Sequence, residues 1–285
     1  MDTTQSIYKS PAGQQAIMAL YNSVLERWPV AYETVDIPTQ HGHTFVIVCG
    51  EPAAPPLILL HGAGTNSTMW VGDVVAYAPH YRVYAVDLLG EPGQSAPNRP
   101  AWAGPAYAEW LGDVVTALKI DKVTLVGISQ GAWTAVKYAV YKPERVEKLV
   151  LLTPGGITPD KMSFLIRVVP LLLLGRWGIQ QVNRILFADQ PIPDEVEDVM
   201  TLIFTHFKPR LGVLPLFSDE ELKRLTMPVL LLIGAKDALR DAKKIEARMA
   251  GLLPDLTAMI IPGAGHALLN TTVQIMPFLT TGNDV

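Results

Sequence analysis

The chain has 285 residues, of which 49% are apolar and 18% charged, and its formal net charge is −4. That length accommodates one large domain or two small ones around a sizeable core, and a mildly acidic chain without a basic block argues against nucleic acid as a partner. Cys49, the only cysteine, rules out an intramolecular disulfide and any CxxC metal site, and its place in a strand-like run reads as a buried structural thiol.

In chain order, "MDTTQSIYKS" lacks a basic region followed by an apolar core, so it does not read as a secretory signal. "AIMALYNSVLERW" (16–28) has helical spacing and stops before Pro29. "YETVDIPTQHGHTFVIVCGE" alternates about His41-Gly42 and predicts a β-hairpin. Short, nearly continuous apolar runs follow: "PPLILLHG", "YRVYAVDLLG", "KVTLVGIS", "VEKLVLLTP", "PVLLLIGAKD" and "TAMIIPGAGH". Strands buried on both faces of a parallel sheet have this pattern. Helix-like segments alternate with them at 67–78, 107–118, 132–141, 242–252 and 268–279. The alternation predicts an α/β fold, a mostly parallel central sheet flanked by helices, with an antiparallel start. Gly, Ser, Asp and His cluster where the strands end, and ligand sites of open α/β sheets lie at those ends.

Residues 157–226 break the rhythm with helical patterns and no strand-like run. A structureless loop of that length does not suit a compact domain. The segment therefore predicts a helical cap (lid) insertion over the strand ends, with 1–156 and 227–285 as the core; a small packing subdomain is the plainer alternative. "LIRVVPLLLLGRWGI" is too apolar for a solvated helix and is expected to face a pocket or the main domain in part. "FLIRVVPLLLLG" carries Arg167 and Pro170 and falls short of the roughly 20 apolar residues of a membrane span. The expectation is a cytoplasmic protein with no membrane span.

The chemistry centres on Gly127-Ile128-Ser129-Gln130-Gly131, a G-x-S-x-G pattern at a strand-to-helix junction. There a nucleophile elbow lifts a strained serine out of the sheet, and Gly127 and Gly131 provide clearance. The bland alternative is an ordinary Gly-Ser turn. A serine nucleophile needs a base, and the base an orienting acid. Of the six histidines, only His266 follows a late strand within a glycine-rich turn. His41 and His43 lie in the hairpin, His80 at a helix terminus, His206 in the insertion, and His61 reads as a residue fixing its own turn. The chain order Ser…Asp/Glu…His selects Asp237, just past a strand. Asp241 reads as a helix N-cap, and Asp87 as the organiser of the "DLLGEPGQS" turn. The backbone N–H groups of Ala63 and Gln130 are the expected oxyanion donors. No histidines and carboxylates stand at metal-ligand spacing such as HExxH, and no cofactor is expected.

Together His61-Gly62-Ala63-Gly64, Asp87-Leu88-Leu89-Gly90, the elbow, Gly234-x-x-Asp237 and Gly265-His266 resemble the α/β-hydrolase superfamily. The match runs from about residue 32 to the C-terminus and leaves the insertion unmatched by motif. "NSTMW", "YRVYAVDLLGEPGQS" and "FSDEELKRLTMPVLLLIG" resemble bacterial carboxylesterases of the naproxen-esterase kind, lidded enzymes that cleave esters of arylpropionic and other hydrophobic acids. Many superfamily members have D-x-x-G-x-G-x-S after the fourth strand; here the spacing from Asp87 to Ser95 is one residue longer, as in the naproxen-esterase kind. That kind carries Glu where this chain has Asp237. The resemblance implies a cofactor-independent serine carboxylesterase acting on a small hydrophobic ester through an acyl-enzyme.

A C–C bond hydrolase or a perhydrolase can use the same triad, and a receptor that retains a triad but turns over slowly is a reading of a different class. A C–C hydrolase usually needs polar groups for a dienoate carboxylate. No arginine in the motifs is placed for that, which leaves Arg167, Arg176 and Arg184 of the insertion.

Overall fold

Two alternating runs joined by a tight turn pair antiparallel, and the buried β-branched runs after them pair in parallel. In the computed structural model, which describes residues 6–210 and 212–281, β1 (Tyr32–Thr39) and β2 (Gly42–Cys49) form the hairpin, in register from Tyr32 with Cys49 to Thr39 with Gly42. β3 (Pro56–Leu60), β4 (Arg82–Val86), β5 (Val123–Ile128), β6 (Val146–Leu152), β7 (Val229–Gly234) and β8 (Leu256–Ile261) complete an eight-stranded sheet. Its spatial order is β1-β2-β4-β3-β5-β6-β7-β8. β2 also pairs antiparallel with β4; every later pairing is parallel.

α1 (Pro11–Glu26) begins before the apolar pattern does. Its start is set by capping: Ser10 Oγ accepts from Gly13 N–H at 3.0 Å, and Pro11 supplies a pre-set φ at the first helical position. The helix expected over 67–78 divides into a 3-10 turn, Ser67–Val71, and the short α2 (Val74–Tyr77). Asp87 Oδ1 takes Ser67 N–H and Asn66 Oδ1 takes Thr68 N–H, so side chains satisfy the first amides before an α-helical turn can form. α3 (Ala106–Ala117) and α4 (Gln130–Tyr141) follow as expected. Between β6 and β7 lie α5 (Met162–Leu172), α6 (Gly175–Phe187), α7 (Asp194–His206) and the one-turn α8 (Asp219–Leu222); α9 (Ala242–Ala250) and α10 (Thr272–Thr280) close the chain.

Alternate strand residues feed opposite faces of the sheet. Val46, Val48, Ile58 and Leu60 join Trp110, Trp133 and Tyr107 on the face covered by α3 and α4. Ile47, Cys49, Leu57 and Leu59 join Tyr21, Trp70, Tyr77 and Ile275 on the other. Cys49 is a buried free thiol whose pKa burial pushes up, as its strand position predicts.

The apolar stretch of α5 and the start of α6 is covered only in part. Val168 is buried, but Met162, Ile166, Val169, Leu173 and Trp177 are exposed. α5 packs on α6, and a helix supported on one side keeps its remaining apolar surface open to solvent. Among the described residues no helix is long and apolar enough to cross a membrane.

Candidate active site

β5 is buried along its whole length and ends at Ile128, and the next residue is Ser129, whose φ of 54° and ψ of −107° lie outside the usual regions for a side-chain-bearing residue. α4 starts at Gln130. The flanking glycines are needed for close approach. A Cβ at Gly127 would sit 2.6 Å from Ala132 N, and one at Gly131 would collide with the carbonyls of Leu60 and His61 at the end of β3. Backbone bonds fix the turn: Ser129 N–H donates to Leu152 O at 2.9 Å, and Ser129 O accepts from Trp133 N–H at 3.0 Å.

The loops after β7 and β8 bring two further groups to this serine. His266 Nε2 lies 3.0 Å from Ser129 Oγ, and His266 Nδ1 lies 2.9 Å from Asp237 Oδ2. With its proton on Nδ1, the imidazole donates to Asp237 and presents a free Nε2 lone pair to the hydroxyl. The other oxygen of Asp237 accepts N–H bonds from Leu239 at 2.8 Å and Arg240 at 2.9 Å. Burial alone would raise the Asp237 carboxyl; the His266 ring, the Arg240 amide and the Arg240 charge outweigh it and hold the pKa below its ordinary value. A serine hydroxyl, an imidazole and an ionised carboxylate hydrogen-bonded in series can move a proton off the hydroxyl as it attacks an electrophile.

The other residues singled out in the sequence lie around this series. His61 is fully buried: Nδ1 faces Gly62 O at 2.8 Å and Nε2 accepts from Leu88 N–H at 2.8 Å, so it joins the turns after β3 and β4. Desolvation lowers its pKa and keeps it a neutral acceptor. Asp87 holds Ser67 N–H and Oγ with one oxygen and Gln94 N–H with the other. Asp241 caps α9 through Lys244 N–H at 3.2 Å. Gln130 is the first residue of α4, and the Gly62-Ala63 turn passes beside the serine: a Cβ at Gly62 would lie 3.8 Å from Ser129 Cβ.

Two charged residues at the site escape the sequence reading. Arg240 is 3% exposed; its Nη1 donates to Ser129 Oγ at 3.3 Å and to Thr153 O, and its Nε pairs with Asp160 at 3.1 Å. Glu91 is also 3% exposed, and its Oε2 accepts from Gly64 N–H at 2.7 Å. Arg240 follows Asp237 by three residues, and the Asp237 turn that caps its amide also aims its side chain inward. Glu91 is the one charged residue between Gly90 and Gly93, in a turn otherwise built from glycine and proline.

Residues 57–273 match the model of the alpha/beta hydrolase family. The chain is 33% identical over 257 residues to the uncharacterized carboxylesterase nap of Bacillus subtilis, covering 87% of this chain and 85% of that one. It is 30% identical over 264 residues to carboxylesterase YbfK of the same organism, at 87% and 86% coverage. Among solved structures, naproxen esterase (carboxylesterase NP) from Bacillus subtilis superposes with a TM-score of 0.84 at 28% identity, over 95% of this chain and 99% of that one.

Proposed function

The chain belongs to the alpha/beta hydrolase family and, like its carboxylesterase relatives, is a carboxylic ester hydrolase; on that premise we propose that Ser129 is its nucleophile and that esters of hydrophobic carboxylic acids are its substrates. The observation that carries this reading is the unbroken hydrogen-bond series Ser129–His266–Asp237 at a strained strand-to-helix turn.

Ser129 Oγ attacks the ester carbonyl while His266 Nε2 takes its proton. Asp237 keeps the ring in the Nδ1–H tautomer and stabilises the imidazolium. The N–H groups of Ala63 and Gln130 receive the oxyanion. His266 then protonates the departing alkoxide and afterwards takes a proton from the water that releases the acid. Residues 157–226 form the cap, and the likeness to naproxen esterase supports a hydrophobic acyl or aryl group as the preferred cargo.

Arg240 is the arginine nearest the chemistry, but Thr153 O and Asp160 already engage its Nη1 and Nε. That arrangement suits a fixed electrostatic role better than capture of a dienoate carboxylate, and it supports ester over C–C bond cleavage. The test is hydrolysis of p-nitrophenyl and aryl esters of graded acyl length. Ser129→Ala abolishes turnover in this reading, and substantial retained activity overturns it.

A further inference from the structure

The turn after β4 carries one residue more than D-x-x-G-x-G-x-S, and the addition lies between Gly90 and Gly93, where Glu91 and Pro92 sit. Both residues hold the loop that follows β3. Glu91 Oε2 accepts from Gly64 N–H at 2.7 Å, and Pro92 O accepts from Asn66 Nδ2 at 2.9 Å. The Gln130 side chain lies near enough to the same carboxylate to lower its pKa, and its buried Nε2 has no hydrogen-bond partner among the described residues. One buried carboxylate thus bonds to the Ala63-Gly64 turn on one side and stands beside the first residue of α4, whose buried amide is left for it to meet, on the other.

An unpaired carboxylate at this depth is costly. Arg99 and Arg210 supply the opposing charge. Both are anchored across the junction between the core and the insertion: Arg99 Nη2 donates to Lys208 O at 2.6 Å, and Arg210 Nη1 donates to Pro100 O at 2.7 Å and Tyr107 Oη at 3.0 Å. Arg210 also lies over the Trp102 ring, 3.8 Å from its centroid. The turn held by Glu91 is His61-Gly62-Ala63-Gly64, with Gly64 at a φ of 66°. Half of it is glycine, which has the most conformational freedom to lose, so its geometry depends on an external tether. A charge-assisted N–H···carboxylate bond is a strong one.

We propose that Glu91 is a positioning residue that spans the two arms of the oxyanion hole, holding the Ala63 and Gln130 N–H groups at the separation the developing oxyanion requires. The inference rests on the assignment of Ser129 as nucleophile and of those two groups as oxyanion donors. The role depends on reach: the side chain must be long enough to meet Gly64 N–H.

Three substitutions separate reach from charge. Glu91→Gln keeps the length and an acceptor oxygen, Glu91→Asp keeps the charge but is one methylene short, and Glu91→Leu removes the acceptor. The readouts are kcat and KM on a p-nitrophenyl ester, inhibition by a trifluoromethyl ketone that forms a tetrahedral anion on the serine, and melting temperature. Glu91→Asp and Glu91→Leu are expected to lower kcat on the order of 10-fold, less than outright removal of an oxyanion donor, with KM within about twofold and the ketone weakened in parallel. Glu91→Gln is expected to restore most of both. Wild-type kcat and ketone affinity in Glu91→Asp, or an effect confined to KM, overturns the proposal, and Glu91→Asp decides the matter if Glu91→Leu does not fold. Ser129→Ala run alongside tells the two levels apart. Retained turnover there removes the site assignment and the inference with it; abolished turnover beside unaffected Glu91 variants removes the inference alone.

Discussion

Arg240 donates from Nη1 to Ser129 Oγ at 3.3 Å, so the hydroxyl that lies 3.0 Å from His266 Nε2 also accepts from a buried cation. The guanidinium favours negative charge on Oγ as the proton leaves, and its ties to Thr153 O and Asp160 fix it in place before reaction. Arg240→Met is expected to lower kcat by about 10-fold, with Arg240→Lys between it and wild type because an ammonium keeps the charge but not the fork. Steady-state kinetics on a p-nitrophenyl ester checks this. An unchanged kcat in Arg240→Met would show that the contact is packing alone.

Asp237 accepts from His266 Nδ1 and from the Leu239 and Arg240 N–H groups, and these bonds together with the Arg240 charge hold its carboxyl below the ordinary pKa. Asp237→Asn offers Nδ1 a donor as readily as an acceptor, which favours the wrong tautomer, and kcat is expected to fall by about 10³–10⁴. The depressed pKa also has a sign in stability. The contribution of the ionised Asp237 is complete above the unfolded value of about 3.9 and is lost as pH falls through the lower folded value. Urea titrations between about pH 5 and pH 2 should therefore show wild type losing stability relative to Asp237→Asn. Parallel curves would refute the linkage.

The parts of this arrangement legible in sequence are those written in local pattern. The elbow glycines, Asp237 and His266 each sit at the end of an apolar run, and chain order alone joins them. Arg240 and Glu91 were invisible because their place at the site depends on loop trajectories: a turn capped by Asp237 aims one inward, and an extra residue before Gly93 buries the other. The start of α1 at Pro11 depended on the Ser10 cap, which lies outside the apolar periodicity used to find the helix. The exposed face of α5 has a similar origin, since hydropathy reports what a helix prefers and not whether the fold offers a surface to cover it.

Ser129 holds a φ of 54° and a ψ of −107°, a conformation of order 1–3 kcal/mol unfavourable for a residue with a Cβ. Ser129→Ala keeps that strain, whereas Ser129→Gly releases it. Both variants are expected to be inactive, with Ser129→Gly the more stable by about 1 kcal/mol after its larger unfolded-state entropy is counted. Gly131→Ala should err in the opposite direction, since its Cβ meets backbone carbonyls of β3 that cannot move without disturbing the sheet. Thermal melts of the three side by side check the order; Ser129→Ala matching or exceeding Ser129→Gly would show that the elbow stores no strain.

Burial pushes the Glu91 carboxyl from 4.5 up to about 7, against the pull of Gly64 N–H, Arg99, Gln130 and Arg210. The folded protein therefore binds a proton at Glu91 more tightly than the unfolded chain does. Stability from this group is fully present below about pH 4.5 and is lost as pH rises through about 7. Glu91→Gln removes the titration while keeping the shape, so its stability relative to wild type should climb across that window by roughly 3 kcal/mol. Denaturant unfolding of both proteins at pH 5, 6, 7 and 8 measures the difference directly. A gap that stays constant with pH would mean that Arg99 and Arg210 keep the carboxylate ionised throughout, and that the tether to Gly64 is held at no cost at neutral pH.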